Sequence, residues 1–353
     1  MIAKILNTFR QMREAHEAAK GYRESPPRPL LAEVAAMARA RQQGFTPEEY
    51  YEFGLDAGRN WDWVGNVPYY QLVRRLNPPA GGVIPFNKWM FSQYFSSVGI
   101  PVPLCHGVFH PETGFLRDGS PFTGADDLRK LLADKGPSVL KPMRGQKGIG
   151  VMVVDSYDGP SDQVTYSNGK AESFDGFFAQ VAAAEYGYLI QEKVRQHPVL
   201  DGLNHASVNA VRVVTMLAEP PRVDIIGAYL RVGTGSRMVD NYGARALVNL
   251  ETGEVGEAID GHLKPAGPNH PDSGIRIAGT IIPHWDKVLA DACRAHRFLP
   301  FVRSLGWDIA VNADGPVFLE TNGSWDHKPM QALLGKSLMD TAYGVAVRAS
   351  GGH

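Results

Sequence analysis

The sequence predicts an α+β fold behind a helical N-terminal domain. Three observations carry this reading. Apolar runs come in pairs closed by turns, as in "VTYSNGKAES", where Asn168-Gly169 makes a tight turn. Helical patterns such as "SFDGFFAQVAAAEYG" stand apart from these pairs instead of alternating with every strand. Residues 1 to about 85 read as helices with short breaks.

Composition bounds the class. Of the 353 residues, 44% are hydrophobic and 21% charged, an ordinary globular balance long enough for two domains or more. Basic and acidic residues number 36 and 37, a net charge of -1, so neither a nucleic-acid nor a membrane partner is expected. Cys105 and Cys293 lie far apart without C-x-x-C spacing. Neither a disulfide framework nor a zinc site is expected, and a reducing cytosol fits best. No apolar run approaches the roughly 18 residues that span a bilayer. The start, "MIAKILNTFRQMREAHEAAK", lacks a continuous apolar core and a small-residue cleavage site, unlike a signal peptide. Ile2, Ile5, Leu6, Phe9 and Met12 share one helical face. The mixed sign of the opposite face favours packing over a membrane surface.

The elements follow in order. "SPPRPL" (Ser25 to Leu30) is a break. "TPEEYYEFGL" starts a helix, with Thr46 as N-cap, Pro47 at the first helical position and glutamates in the first turn. "NPPAGG" (Asn77 to Gly82) reads as a linker, with a domain boundary just after it. In "NKWMFSQYFSSVGIPVP", Asn87 caps a helix that Gly99 ends. "SVLKPM" and "GVMVVD" are strands around a glycine-rich loop, and "YLIQEKV" is a buried strand. "SVNAVRVVTMLA", "VDIIGAYLRVG" and "ARALVNLETGEV" are further strands. "HWDKVLADACRAHRFLPFVRSLG" is a long helix. "WDIAVNADGPVFLETN" is a strand, a turn on Asp314-Gly315 and a strand.

Four clusters carry chemistry. In "LKPMRGQKGIGV" the glycine loop follows Lys141. It lacks the G-x-x-x-x-G-K-[ST] of a P-loop, and it runs into a strand where a dinucleotide fingerprint opens a helix. A flap of backbone N–H groups with a lysine at its base can cover phosphates, and a plain hairpin is the alternative. Asp308, Glu320 and Asn322 end two neighbouring strands; Glu320 and Asn322 point to one side. Such hard oxygen ligands suit magnesium shared with phosphate, and a carboxylate pair solvated at a sheet edge is the alternative. The edge Gln191-Glu192-Lys193-Val194 offers alternating backbone groups able to bond an adenine ring, with an ordinary core strand as the alternative. Arg212 lies inside an apolar strand near Asn209 and needs an anionic partner, either phosphate or a structural carboxylate. "GAYLRVGTGSRMVDNYGARALV" carries Arg231, Asn241 and Arg245, a loop whose two arginines suit a substrate carboxylate, with a solvated loop of surface arginines as the alternative. His327 reads as a base or, more commonly for a single histidine, as a hydrogen-bonded structural residue.

Together these elements resemble the ATP-grasp superfamily over residues 86 to 340. "FTPEEYYEFGL", "GAYLRVG", "VDNYGARALVNLETGEV" and "SWDHKPMQ" resemble its sugar-transfer-associated branch, itself similar to the ribosomal-protein S6 glutamate ligases. The helical residues 1–85 depart from the α/β domain that usually precedes the grasp. The resemblance implies an ATP-grasp fold over 86–345, with a small lobe at about 135–193 and a large lobe at about 194–345 clasping ATP. It implies that Lys141 and Lys88 bind phosphate and that Arg144, Gly145, Gly148 and Gly150 belong to a flap closing over it. Gln191, Glu192, Lys193 and Val194 would hold adenine, and Asp201 the ribose. Arg212 would stabilise the transferring phosphoryl group. Asp308, Glu320 and Asn322 would hold one or two magnesium ions, with manganese as a substitute. The implied activity is a carboxylate–amine or carboxylate–thiol ligase forming an acyl phosphate and ADP. Its partners would be a small carboxylate and an amine, or a peptide or carrier-bound acceptor. A nucleotide-sensing module without turnover and a phosphotransferase are the rivals.

Overall fold

The computed structural model describes residues 23, 25, 26, 29–145, 148–205, 207–235 and 243–351. The expected apolar face Ile2 to Met12, Pro27 and Arg28 of the proline-rich break, and Asn241 lie outside the described residues. Among the described residues, helices α1 (Leu30–Gln42), α2 (Pro47–Glu52), α3 (Asn66–Leu76), α4 (Val83–Phe86) and α5 (Lys88–Ser97) come first. Strands β1 (Cys105–Phe109) and β2 (Phe115–Leu116), helix α6 (Ala125–Lys135), strands β3 (Ser138–Pro142), β4 (Met152–Asp158), β5 (Gln163–Tyr166) and β6 (Ala171–Ser173), helix α7 (Phe174–Ala182) and strand β7 (Tyr188–Glu192) follow. After the short helix α8 (Pro198–Asp201) come β8 (Val211–Glu219), β9 (Arg222–Val232), β10 (Ala244–Val248), β11 (Val255–Ile259) and β12 (Pro265–Gly267). Helix α9 (Trp285–Arg297), strands β13 (Ser304–Val311) and β14 (Pro316–Asn322), and helices α10 (His327–Leu334) and α11 (Ala342–Ala349) complete the chain.

The strands form two antiparallel sheets, β2-β1-β7-β3-β4-β5-β6 and β12-β11-β10-β9-β8-β13-β14. This is the expected α+β architecture. In the first sheet, Leu140 and Ile190 pack under α6 and α7 with Leu128 and Phe177. Val139, Lys141 and Gln191 alternate onto the opposite face, because side chains along a strand change sides at every residue. The second sheet is covered on both faces. Val213, Leu230 and Trp307 pack against α5 and α9, while Val214, Met216 and Tyr229 pack against α3, α10 and α11.

The caps hold as read. Thr46 accepts from the Glu49 amide while the Glu49 carboxylate accepts from the Thr46 amide, closing a capping box. Asn87 caps α5 through the Met90 amide. The long helix of "HWDKVLADACRAHRFLPFVRSLG" is shorter than expected: α9 stops at Arg297, and β13 already begins at Ser304. Pro300 cannot continue a helix. Ser304 to Gly306 instead extend the ladder, opposite Met216, Thr215 and Val214. Helix α3 lies before the expected domain boundary, yet Tyr69, Val73 and Leu76 share a core with the second sheet. No helix of the described residues is long and apolar enough to cross a membrane.

His296 on α9 ties this packing to pH. Its Nε2 donates to the Val302 carbonyl at 2.8 Å, and its Nδ1 accepts from the Thr215 hydroxyl at 2.6 Å. The Trp307 indole donates to that same hydroxyl oxygen, so the neutral ring leaves no group unmatched. Burial pushes the His296 pKa down to about 4 from 6.5. The unfolded chain therefore takes up this proton first, and the stabilisation is full above about pH 6.5 and lost as pH falls toward 4. Urea melts between pH 7 and 4 are expected to show wild type losing on the order of 3 kcal/mol more than His296→Gln. Equal losses would remove His296 as the source.

Candidate active site

Between the two sheets lies a cleft of about 1380 Å³. That exceeds the roughly 300–1,000 Å³ common for one small-molecule pocket. Its first wall is the open face of the β7-β3-β4 sheet. Lys141 donates from Nζ to the Leu319 carbonyl across the cleft at 3.4 Å. Lys88, at the start of α5, donates to the Gly145 carbonyl at 3.4 Å. Burial lowers the pKa of both lysines, and the Glu320 carboxylate opposes that shift in each. For Lys141 the Lys88 charge adds to the lowering. Two partly desolvated ammonium groups beside one carboxylate favour a further anion.

The loop from β3 to β4 joins antiparallel strands, as expected of a flap. Gly145, Gly148 and Gly150 have φ of +156°, +65° and +76°, a backbone that side-chain-bearing residues rarely adopt. Gly145, Gly148, Ile149 and Arg144 line the cleft, although the Arg144 guanidinium is stacked 4.0 Å from the Tyr186 ring centroid.

At the end of β7, the Glu192 amide donates to Leu104 and the Lys193 amide to Pro137. The Lys193 ammonium is paired with Asp155, so its backbone rather than its side chain is offered to a ligand. The Val194 amide has no partner among the described residues. Gln191 is 3% exposed, lines the cleft, and its Oε1 is unpartnered among the described residues. An unmatched buried acceptor is costly, so these two groups together form an edge ready for a planar ligand with its own donor and acceptor. Asp201 holds His205 at 2.7 Å and accepts from Gln196 at 3.4 Å at the rim.

The opposite wall is the second sheet. Its register sets Glu320 opposite Asp308, and Asp308 opposite Arg212. Arg212 grips both Asp308 oxygens at 2.6 and 2.8 Å, and Arg231 reaches Oδ2 at 3.1 Å. Burial alone would lower the Arg212 pKa; the Asp308 charge overrides it and holds the guanidinium protonated. Burial alone would raise the Asp308 pKa; Arg212 and Arg231 hold it well below the carboxylate range. The structure thus supplies Arg212 with the carboxylate partner that the sequence left open beside phosphate. Arg245 faces Arg231 across β9 and β10, and its Nη1 donates to the Asp260 carbonyl at 3.5 Å. Asn322 donates to Glu320 at 3.4 Å, so the two share a side, while Thr321 turns away to Gly306.

No group of three or more His, Cys, Asp and Glu suited to a metal occurs among the described residues. The candidate set is two carboxylates and an amide. Hard oxygen donors of that kind, beside cationic groups that favour phosphate, fit a magnesium ion shared with a nucleotide. His327 lines the cleft: its ring stacks on Tyr69 at 4.0 Å, and its buried Nε2 has no hydrogen-bond partner among the described residues, the Glu49 carboxylate lying 3.7 Å away. The sequence reading missed Asn77, Tyr69 and Trp325, which hold the end of β14 from the far side. The only local signal was an asparagine closing a helix inside an apparent linker.

The family model described as sugar-transfer associated ATP-grasp matches residues 69–346, and the chain belongs to that family. No match was found among curated proteins. Among solved structures, the ATP-grasp ligase PsnB complexed with minimal precursor is 17% identical over 78% of this chain and 63% of its own, with a TM-score of 0.42. The ADP complex of N5-carboxyaminoimidazole ribonucleotide synthetase is 15% identical over 75% of this chain and 51% of its own, with a TM-score of 0.44. D-alanyl-alanine synthetase A from Vibrio cholerae O1 biovar eltor str. N16961 is 11% identical over 78% of this chain and 68% of its own, with a TM-score of 0.47. The chain therefore spans less than two thirds of the first two.

Removing one partner of the buried ion pair leaves a charge without compensation. Arg212→Met and Asp308→Ala are each expected to cost about 3–5 kcal/mol in a denaturant melt. A midpoint unchanged from wild type in either would mean that the pair is not held in solution.

Proposed function

We propose that this member of the sugar-transfer associated ATP-grasp family is an ATP- and magnesium-dependent ligase that activates a carboxylate and couples it to an amine or thiol. One observation carries the reading. The sheet register lines up Glu320, Asp308 and Arg212 in a row that faces Lys141 and Lys88 across one cleft. Positioning and charge neutralisation are what phosphoryl transfer asks of a protein.

In this reading Lys141 and Lys88 hold phosphate oxygens, and Gly145 to Gly150 close over them. Gln191, Glu192, Lys193 and Val194 hold the adenine edge, mainly through backbone groups, and Asp201 meets the ribose. Asp308, Glu320 and Asn322 hold magnesium or manganese, which when bound neutralises phosphate charge. The substrate carboxylate, oriented by Arg231 and Arg245, attacks the terminal phosphorus; ADP leaves, and an acyl phosphate forms beside Arg212. The amine or thiol then attacks the acyl carbon, and inorganic phosphate departs as the nucleophile loses its proton. A closed flap keeps water from the acyl phosphate. The substrates in this reading are a small carboxylate and an amine, or a peptide or carrier-bound acceptor.

Phosphorus NMR of Mg-ATP with the protein and pooled acids and amines tests this. ADP and phosphate are expected only when both pools are present. AMP and pyrophosphate would replace the acyl-phosphate route with adenylation. No turnover with any pool would favour a nucleotide-binding module. Lys141→Ala and Glu320→Ala are each expected to lose about 10²-fold or more in turnover while staying folded. Near wild-type turnover in either would overturn its role.

A further inference from the structure

We infer that Asn77 is a positioning residue for the end of β14, the strand that presents Glu320 and Asn322. The inference rests on the nucleotide–cation reading of the cleft. The β13–β14 ladder ends where Gly306 pairs with Asn322. Gly323, the next residue, has no strand partner. Its carbonyl instead accepts from Asn77 Nδ2 at 2.8 Å, and that same nitrogen donates to the Ser304 carbonyl at 2.8 Å. Asn77 Oδ1 accepts from the Ser304 amide at 2.9 Å. One buried amide therefore closes the ladder, where a further residue pair would otherwise stand.

The chain is shaped to admit it. A Cβ on Gly323 would stand 2.5 Å from Phe86 Cζ and 3.0 Å from Asn77 Nδ2, so a larger residue here would have to displace the exposed Phe86 ring and crowd the amide. Two residues on, the Trp325 carbonyl accepts from the Tyr69 hydroxyl, and its indole donates to Ser304 Oγ at 2.7 Å. Both tethers come from helix α3 and the residue that ends it. Val73 and Leu76 already supply the apolar contact that docks this helix. A buried amide with its donor and acceptor both matched to backbone adds direction to that contact. It fixes the residues that follow Asn322 and, through them, the angle at which Asn322 and Glu320 face Asp308. Groups that orient ligand-bearing residues commonly set metal affinity without touching the ion.

The test compares wild type, Asn77→Ala and Tyr69→Phe. Mn²⁺ binding is read by electron paramagnetic resonance with a non-hydrolysable ATP analogue. Analogue binding in EDTA and the thermal midpoint are measured alongside. Asn77→Ala is expected to weaken Mn²⁺ binding about tenfold while leaving analogue binding in EDTA unchanged. Tyr69→Phe, which removes one hydroxyl and keeps the ring, is expected to move Mn²⁺ binding the same way by less. A lower thermal midpoint with wild-type Mn²⁺ affinity in both variants would reduce the tether to a structural role and overturn the inference. Should Asn77→Ala not fold, Tyr69→Phe decides alone. Wild type that binds the analogue but no Mn²⁺ would instead sink the nucleotide–cation reading, a separate failure visible before any variant is made.

Discussion

The buried carboxylate of Asp308, held between Arg212 and Arg231, constrains the whole large sheet. Asp308 is 4% and Arg212 6% exposed, so both are removed from water at a cost that only good mutual geometry offsets. That geometry exists in one register. A one-residue slip of β13 would turn Asp308 to the other face, among Phe95 and Phe318, and bring Trp307 into the cleft. The ion pair therefore opposes misregistered pairing of β13 with β8. The β13–β14 ladder then sets Glu320 beside Asp308. A fold-level constraint and a functional arrangement rest on the same pair of strands.

The first sheet contributes differently. Its cleft face carries lysines rather than paired charges. Lys141 and Lys88 have carbonyl partners and feel Glu320 at a distance, with burial working against their charge. A carbonyl is a weak match for a desolvated ammonium, whereas phosphate is a strong one. One wall thus carries an internally balanced charge cluster and the other an incomplete one. An anionic ligand that enters between them satisfies the lysines first.

Much of this was legible in the sequence, for reasons of distance along the chain. Thr46 with Glu49, Asn87 with Met90, and the Asn168-Gly169 turn are contacts over a few residues, and their chemistry is visible in short windows. The alternation that sends Lys141 and Gln191 to one side of β3 and β7 is equally local. The end of α9 was overestimated because the apolar pattern runs on past Pro300, although those residues serve a strand. Arg212 announced that it needed an anion, but not which, since Asp308 lies 96 residues away. His327 and Glu49 were each readable as polar residues, and only the fold brings them together. Asn77 looked like part of a linker because its partners lie 227 and 246 residues downstream.

That last distance changes how the N-terminal helices are understood. Strand β14 is at the edge of its sheet, and an edge strand has neighbours on one side only. The residues proposed to hold a cation sit at its C-terminal end, where pairing runs out. Left alone, such an end frays, and a fraying end cannot present two side chains at fixed angles. The chain covers the exposed side with Pro101, whose carbonyl accepts from the Phe318 amide, and with Phe86 of α4 against Gly323. It covers the end itself with α3, through Tyr69 and Asn77. The family match begins at residue 69, within this helix. Helix α3 and Phe86 of α4 therefore support the end of β14, while α1 and α2 pack in a core of their own around Met37, Phe45, Tyr50 and Phe53. Tyr69 of α3 and Asn77, which ends that helix, supply hydrogen bonds at the end of this edge strand.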